Sequence, residues 1–498
     1  ANDGMFHVLD ARAGLASSGR EIFAYVPRAA YAALGQLPDP AYTHRYSVDG
    51  PIIEGDVWNG TNWMTIAIGT TGAGAAGIFA IDVTAPGPSM GANSVLWDIT
   101  AADLASAAGR NALGRTIGAG VIGSVRFDAD GTSATEPNGA WAYIVGNGYE
   151  SRNDTAALLV FNALDGSLIR SIDTGVGSAA NRNGLGAVTP VYDGNRNIVA
   201  VYAGDKLGNL WKFDLSSADP SNWRIFNEQP PGAPSPLFTA SEGGMTRPIH
   251  QSPRVAPHPL GGLYVAFGTG KYFEVGDPAN SDDQGIFVLR DQGRASPIPF
   301  GEVALVRTED YSVGTDHYRR LHRPDLANFD WNDQGFWVRL RPLSALSSRE
   351  RVIGPLFLDG GMLVVSTFSP DAATQPCAPA GHSYLYRIDL AGGFTRGAFG
   401  TEAGITIGRR FEPGTTGGFA PLSQPADTGS TLVHSLSVSD LETMLANPRY
   451  RIAGDGGPVH QGTRGTCMHA GLRVDGSVAR VETNCTGLMP LRAWRPMK

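Results

Sequence analysis

Three oxygen-bearing side chains alternate along one short stretch in the first half of the chain. Asp193, Asn195 and Asn197 occupy every second position just ahead of an apolar run. Such alternation lets a curled backbone present several oxygens to one point, and oxygens are the ligands that Ca²⁺ takes in proteins. The chemistry open to these residues is therefore cation binding. The other interpretation is an Asx turn, in which Asp and Asn side chains bond their own backbone.

The stretch belongs to a strand-turn-strand unit that recurs along the chain. Each copy is an aromatic-rich strand that closes on an acidic residue, and most copies are preceded by an apolar run that usually ends in Gly. The copies are NDGMFHVLD (2–10), GIFAID (77–82), LLVFNALDG (158–166), GNLWKFD (208–214), GIFVLRD (285–291) and SYLYRID (383–389). Alternation of period two with β-branched and aromatic residues predicts strands.

Repetition of this hairpin predicts the fold class. A single hairpin cannot bury its apolar face, so neighbouring copies must cover one another. Radial stacking does this and also protects the strand edges, so we expect an all-β, quinoprotein-like β-propeller of six or seven blades. The copies lie roughly 50 to 100 residues apart, wider than the ~40–45 of regular blade arrays, which indicates long loop insertions. Two packed β-sandwich sheets are the structural alternative.

We expect residues 1–498 to form one modified propeller domain with two additions. A segment near 308–342 mixes Arg, Asp, His and Trp and predicts a hairpin or short helix laid over the rim. A loop-rich C-terminal extension is expected near 395–498. Within it, Ser439 and Glu442 have the spacing of a capping box, which predicts a short helix.

Composition limits the classes of function. The chain has 498 residues, a net charge of −8, 65 Gly, 33 Pro and 17% charged residues. Mild acidity argues against a nucleic-acid partner. The sequence contains no run of about 18 apolar residues, which a membrane-spanning helix would need.

The start at Ala1, without an initiating Met or signal peptide, predicts a fragment of something longer. Of three cysteines, Cys377, Cys467 and Cys485, the last two either close a disulfide loop or remain thiols.

Several motifs in a fixed order resemble the C-terminal β-propeller of the PilY family, whose members are associated with type IV pili and their tips. The segments that carry the resemblance are NDGMFH (2–7), EIFAYVP (21–27), YTHRYSVDG (42–50), GNGYES (146–151), YAGDKLGNLWKFD (202–214) and FGTGKYF (267–273). The resemblance extends over nearly the whole chain and thins after about residue 395.

The resemblance implies a non-enzymatic role in building or displaying pilus fibres and in opposing their retraction. It implies minor pilins as partners, with host or abiotic surfaces as further ones. It also implies export to the periplasm, outer membrane or pilus tip.

The resemblance further implies a calcium loop ahead of Tyr202, with oxygen ligands at positions one, three, five and nine. Asp193, Asn195 and Asn197 match the first three, but the ninth position is Val201 where an acidic residue is expected. One carboxylate and two amides predict a weakened calcium site, because the number of charged ligands tunes affinity. Calcium is the one cofactor that the sequence predicts, and the Asx turn stays the alternative.

Two alternative functions follow from the aromatic residues. Exposed tryptophans could stack on sugars in a carbohydrate- or surface-binding adhesin; the candidates are Trp63, Trp141, Trp331 and Trp337. The alternative for each of them is packing in a blade core. The segment GNLWKFD also resembles the repeats of quinoprotein dehydrogenases, which are propellers too. Such an enzyme needs bound calcium, a catalytic Asp and a quinone against a Trp, and the sequence offers no convincing constellation of this kind. We therefore predict no catalytic and no cofactor-binding residues.

Overall fold

The computed structural model describes residues 1–12, 17–127, 140–230, 232–322, 325, 334–359, 362–370, 381–390 and 406–411, and the backbone of 465–472 and 478–485. The chain divides into two compact units. The first comprises Ala1–Pro253 and Arg294–Phe300, and the second comprises Arg254–Gly293 and Gly301–Lys498. Within the described residues, no helix has the length and apolar character needed to cross a membrane.

The first unit is built from short antiparallel sheets. Its strands are β1 (Phe6–Leu9), β2 (Glu21–Tyr25), β3 (Ile52–Trp58), β4 (Trp63–Thr70), β5 (Gly77–Asp82), β6 (Val95–Thr100), β7 (Val121–Ser124), β8 (Trp141–Gly146), β9 (Thr155–Asn162), β10 (Leu168–Gly177), β11 (Leu185–Tyr192), β12 (Ile198–Asp205), β13 (Asn209–Asp214), β14 (Arg224–Ile225), β15 (Phe238–Thr239), β16 (Ser241–Glu242) and β17 (Met245–Thr246). Three meanders result, β3 to β6, β7 to β10 and β11 to β14, and β15 also pairs with β13.

In the part of the chain that the structure describes, helical structure is confined to short connecting segments. The α-helices are α1 (Tyr31–Leu34) and α2 (Ala107–Ala112), and the 3₁₀ turns are Arg28–Ala30, Ala92–Ser94, Ala101–Asp103, Pro220–Asn222, Asp277–Ala279 and Phe300–Glu302. Ser106 caps the N-terminus of α2, and its hydroxyl accepts a hydrogen bond from the Gly109 N–H at 3.1 Å. Helices this short cannot form a core of their own, so the sheets supply it.

The middle sheet of the first unit is buried on both faces. Along β9, Ala156, Leu158 and Val160 pack into a cluster with residues of β11 to β13. The residues between them, Ala157, Leu159 and Phe161, pack into a second cluster with residues of β4 to β6. Because successive side chains of a strand point to opposite faces, one continuous apolar strand joins two cores. This is the burial that a repeated hairpin needs.

The described strands of the second unit form one long sheet and a separate hairpin. Its strands are β18 (Arg254–Pro257), β19 (Leu263–Gly268), β20 (Gly285–Asp291), β21 (Ala304–Val313), β22 (Asp316–Leu321), β23 (Gly335–Pro342), β24 (Leu356–Asp359), β25 (Met362–Ser366), β26 (Ser383–Asp389), β27 (Thr406–Phe411), β28 (Gly465–Leu472) and β29 (Val478–Cys485). Ten of them form one sheet in the order β18-β19-β20-β23-β21-β22-β27-β26-β25-β24.

A hairpin joins two meanders within this sheet. Strands β18, β19, β20 and β23 form one meander, and β24 to β27 form the other. The hairpin β21–β22 lies between them: β21 pairs in parallel with β23, and β22 pairs antiparallel with β27. The segment near 308–342, where a rim hairpin or helix was predicted, thus contains most of this hairpin and also β23.

The recurring motif occupies the same place in every meander. In the described residues, the copies at 77–82, 158–166, 208–214, 285–291 and 383–389 lie in β5, β9, β13, β20 and β26, the third strand of each of five meanders. The apolar run before each of these copies forms the second strand. The copy at 2–10 differs, because it contains β1 of the two-stranded sheet β1–β2. The predicted all-β propeller class is confirmed, and the count of six or seven blades stays a prediction.

Other predictions concern the C-terminal part of the chain. One modified propeller domain over residues 1–498 stays a prediction, as does the loop-rich extension near 395–498. The capping-box helix at Ser439 lies outside the described residues. In the β28–β29 hairpin, Cys467 lies opposite Thr483 and Cys485 opposite Gly465. A disulfide between the two cysteines stays one of the two alternatives that the sequence leaves open.

Candidate functional site

The three residues predicted to bind calcium lie together in the turn between β11 and β12. The turn closes on itself, since the Asp193 N–H donates to the Asn197 carbonyl at 2.9 Å and the Arg196 N–H donates to the Asp193 carbonyl at 3.0 Å. Arg196 takes a positive φ of 68°, which few residues other than Gly adopt. The local backbone is thus a tight four-residue reversal between the two strands.

The Asp193 carboxylate faces inward, toward hydrogen-bond donors of the turn. Its Oδ1 accepts the N–H groups of Asn195 and Asn197, each at 2.9 Å. The Asn197 side-chain amide adds a longer hydrogen bond to Oδ2 at 3.4 Å. These are the contacts of an Asx turn, in which the side chain replaces a backbone acceptor.

An arginine from the neighbouring meander completes the turn. Arg126, which follows β7, donates from Nε at 3.0 Å and from Nη2 at 2.8 Å to Asp193 Oδ2. Burial raises the pKa of Asp193, but the hydrogen bonds from Asn197, Arg126 and Asn195 outweigh it and leave the pKa below its ordinary value. The carboxylate is therefore held in its ionised form by donors that belong to the protein.

Asn197 faces the same neighbouring meander. Its side chain is buried, and its Oδ1 accepts the hydroxyl hydrogen of Ser124 at 2.8 Å. Asn195 is exposed and contributes its backbone N–H to the turn. Of the three predicted ligands, one carboxylate and one amide oxygen already have donors in the fold.

The residues of the turn do not fit a calcium ion in this arrangement. Ca²⁺ needs six to eight oxygens, and Val201, at the ninth position, is fully buried in the apolar core of β12. Strand β12 begins at Ile198, so the chain leaves the turn before a fourth ligand can be presented. Among the described residues, no group of three His, Cys, Asp or Glu side chains could hold a metal ion. Calcium binding stays a prediction.

Asp205 lies at the opposite end of β12, eight residues beyond Asn197, and so roughly 26 Å away along an extended strand. It is fully buried and accepts four hydrogen bonds, each of 2.9 Å, from Asn183 Nδ2, Asn209 N, Asn209 Nδ2 and Trp211 Nε1. Burial raises its pKa, while these donors favour the ionised form. Asp205 anchors the β12–β13 turn and cannot join the calcium ligands.

Three tryptophans cluster at the strand ends near the β11–β12 turn. Trp58 and Trp63 face each other across β3 and β4 with ring centroids 5.7 Å apart, and Trp63 lies 5.5 Å from Trp141. Trp141 lies opposite Ser124, the residue that bonds Asn197. Trp63 is 56% exposed, which is unusual for so large an apolar side chain.

The other two tryptophans that sequence analysis selected have different places. Trp337 is 1% exposed and stacks on Phe287 with ring centroids 5.2 Å apart, so it belongs to the core of the second unit. Trp331 lies outside the described residues. Of the three described candidates, Trp63 is therefore the one whose side chain is exposed.

Antiparallel four-stranded meanders, packed face to face in the first unit and carrying one motif on each third strand, define a β-propeller protein. The profile of the PilY1 beta-propeller domain matches residues 1–304. The chain belongs to the PilY1 β-propeller family.

The similarity to two relatives extends beyond residue 304 and covers more of the chain. The chain is 34% identical over 449 residues to a type IV pilus biogenesis factor PilY1 homolog of Xylella fastidiosa, covering 86% of this chain and 28% of the relative. It is 30% identical over 432 residues to type IV pilus biogenesis factor PilY1 of Pseudomonas aeruginosa strain PAO1, covering 78% of this chain and 34% of that protein. The chain thus spans about a third or less of these relatives.

A solved structure supports the fold independently. The crystal structure of the Pseudomonas aeruginosa PilY1 C-terminal domain aligns with a TM-score of 0.63 at 24% sequence identity. The alignment covers 83% of this chain and 86% of that domain. At this identity the likeness concerns the fold, which agrees with the predicted PilY-like propeller.

Proposed function

We propose that the chain is the propeller portion of a type IV pilus biogenesis factor and that it acts by binding rather than by catalysis. The observation that carries the proposal is the identity of 34% and 30% with biogenesis factors over 86% and 78% of the chain. Its partners are minor pilins, its location is outside the cytoplasm at the outer membrane or pilus tip, and its binding opposes fibre retraction. No nucleic acid takes part.

The structure offers a physical basis for a binding role. In the first unit, sheets with shared cores hold the turns between strands in fixed positions. Turns on a rigid scaffold are the usual places for partner recognition, because they vary without disturbing the core. The β11–β12 turn is such an element, since Arg126 and Ser124 fix it to the neighbouring sheet.

A pull-down against purified minor pilins tests the proposal. We expect the tagged chain to retain at least one minor pilin, and parallel samples with calcium and with a chelator show whether the metal matters. A tagged acidic β-protein from outside the family serves as the control for nonspecific capture. Absence of pilin binding in both conditions would contradict the proposed partner while leaving the fold assignment intact.

The exposed tryptophan cluster favours a second function, carbohydrate binding by an adhesin. The apolar C–H face of a pyranose ring packs against an indole face, whose quadrupole is negative. Beside Trp58 and Trp63, the β3–β4 turn carries the exposed side chains of Asn59, Thr61 and Asn62, which are suited to sugar hydroxyls. Host glycans or a polysaccharide-coated surface would be the ligand.

We expect Trp63→Ala to weaken binding to any glycan found on an array by about tenfold, which corresponds to about 1.4 kcal/mol of lost stacking. Tyr31→Ala is the matched control, because Tyr31 is exposed to a similar extent, 57% against 56%, and lies outside the cluster. Titration of the glycan against each variant gives the dissociation constants. Equal losses in the two variants, or none in either, would exclude the cluster as the sugar site.

A further inference from the structure

A cation supplied by the protein itself, the guanidinium of Arg126, binds to the β11–β12 turn. Both Nε and Nη2 of Arg126 donate to Asp193 Oδ2, and Nη1 lies 3.5 Å from the Ser216 carbonyl oxygen. The guanidinium thus bridges a carboxylate at one end of the turn and a backbone carbonyl beyond β13. A carboxylate and a backbone carbonyl are also oxygen types that a calcium ion draws together.

Each side-chain oxygen of Asp193 and Asn197 that could bind a metal already accepts a hydrogen bond from another group of the protein. Asp193 Oδ1 has two backbone N–H groups and Oδ2 has the guanidinium. Asn197 Oδ1 has the Ser124 hydroxyl. A divalent cation at Oδ2 would have to displace Arg126 or lie against its positive charge, and like charges at contact distance repel.

We propose that Arg126 is the resident cation of this turn and replaces calcium there. The turn is accordingly closed at any calcium concentration. The Arg126–Asp193 pair and the Ser124–Asn197 bond together fasten the third meander of the first unit to the second. The calcium loop that the family resemblance implies is in this chain a metal-independent tie between adjacent sheets.

The pair is placed to act as such a tie. Arg126 lies two residues beyond the end of β7, and Asp193 directly follows the last residue of β11, so a short backbone path connects each charge to a sheet. Asp193 is 13% exposed whereas Arg126 is 45% exposed. Because solvent reaches the guanidinium, the pair contributes modestly to stability and mainly sets the position of the turn.

A calcium titration combined with a double-mutant cycle tests the proposal. We expect the melting temperature of the wild-type chain to be the same in millimolar calcium and in chelator. We expect Arg126→Gln to lower it by about 1–3 °C and Asp193→Asn by a similar amount. In the double variant, Arg126→Gln should add less than about 1 °C to the effect of Asp193→Asn, since contacting residues do not act additively. Arg126→Lys, which keeps the charge but not the two-pronged geometry, should fall between wild type and Arg126→Gln.

Hydrogen exchange gives a local readout that global stability does not. The N–H groups of Asn195 and Asn197 are bonded to Asp193 Oδ1, so releasing that carboxylate should speed their exchange severalfold in Arg126→Gln. Arg224→Gln is the matched control, because Arg224 is an exposed arginine of the same unit in β14 and should leave both amides unchanged.

Two results would overturn the proposal. One is a rise of several degrees in the wild-type melting temperature on adding calcium that Asp193→Asn abolishes. The other is full additivity of Arg126→Gln and Asp193→Asn. A calcium response that appears in Arg126→Gln but not in wild type would support it, since the guanidinium would then be what keeps the metal out.

Discussion

Asp205→Ala is expected to lower the free energy of unfolding of the first unit by about 3–5 kcal/mol. The substitution removes the acceptor of four hydrogen bonds. Asn183 Nδ2 keeps its bond to the Val176 carbonyl, but the indole N–H of the fully buried Trp211 loses its acceptor. Asp205→Asn keeps one acceptor oxygen but directs an amide toward the donors, so it should be intermediate. The loss is measured by urea unfolding, with hydrogen exchange on β12 and β13 to assign it to the first unit.

Asp214→Ala is the control for this experiment. Asp214 lies in the adjacent strand β13 and is partly exposed, and its contacts are with the N–H and hydroxyl of Ser216. Losing it leaves groups that water can reach, so the cost should be much smaller. If Asp205→Ala cost no more than Asp214→Ala, the buried carboxylate would not be the anchor of the β12–β13 turn.

Glu350→Ala should produce a loss of similar size, about 3–5 kcal/mol, in the second unit. Glu350 is 2% exposed and accepts hydrogen bonds from Arg319 Nη1 at 3.0 Å, Tyr386 OH at 2.7 Å and Thr367 Oγ1 at 2.7 Å. Burial lowers the pKa of Arg319, but the Glu350 carboxylate and its neighbours raise it well above its ordinary value, so Arg319 stays charged. Removing Glu350 leaves that buried charge without its main partner.

A compensating variant separates the ion pair from simple loss of packing. Arg319→Met combined with Glu350→Leu removes both charges and retains apolar volume, so it should recover a large part of the loss. The comparison uses urea unfolding followed by hydrogen exchange on β22 and β26. A double variant no more stable than Glu350→Ala would show that Arg319 has other roles, such as its bond to Asp310.

The sequence allowed the sheets to be predicted because each strand carries its own signal. The motif that ends in Asp82 or Asp214 marks a third strand through local alternation and a closing turn, and both features survive any arrangement of neighbours. Strand β9 shows the limit of such local signals. Its run of apolar residues indicates burial, but not that one half of them meets β5 and the other half β12.

The candidate site was predictable in its residues but not in its partners. The sequence already showed that Val201, at the ninth position, cannot be a calcium ligand. The structure supplies the reason for an apolar residue there, since the position lies inside strand β12. Arg126 was not predicted because it lies 67 residues from Asp193, and only the packing of adjacent sheets brings the two together. Asp205 did have a local signal, because Asn209 and Trp211 follow it at turn spacing and supply three of its four donors.

The hairpin β21–β22 has a consequence for how the second unit opens. Because β21 bonds to β23 and β22 bonds to β27, backbone hydrogen bonds run without interruption from β18 to β24. A pulling force on either meander is therefore transmitted to the other through the peptide backbone, and the two should open as one cooperative element. The three meanders of the first unit belong to separate sheets and can release one at a time. Under tension, the first unit would be the part that lengthens and the second the part that holds.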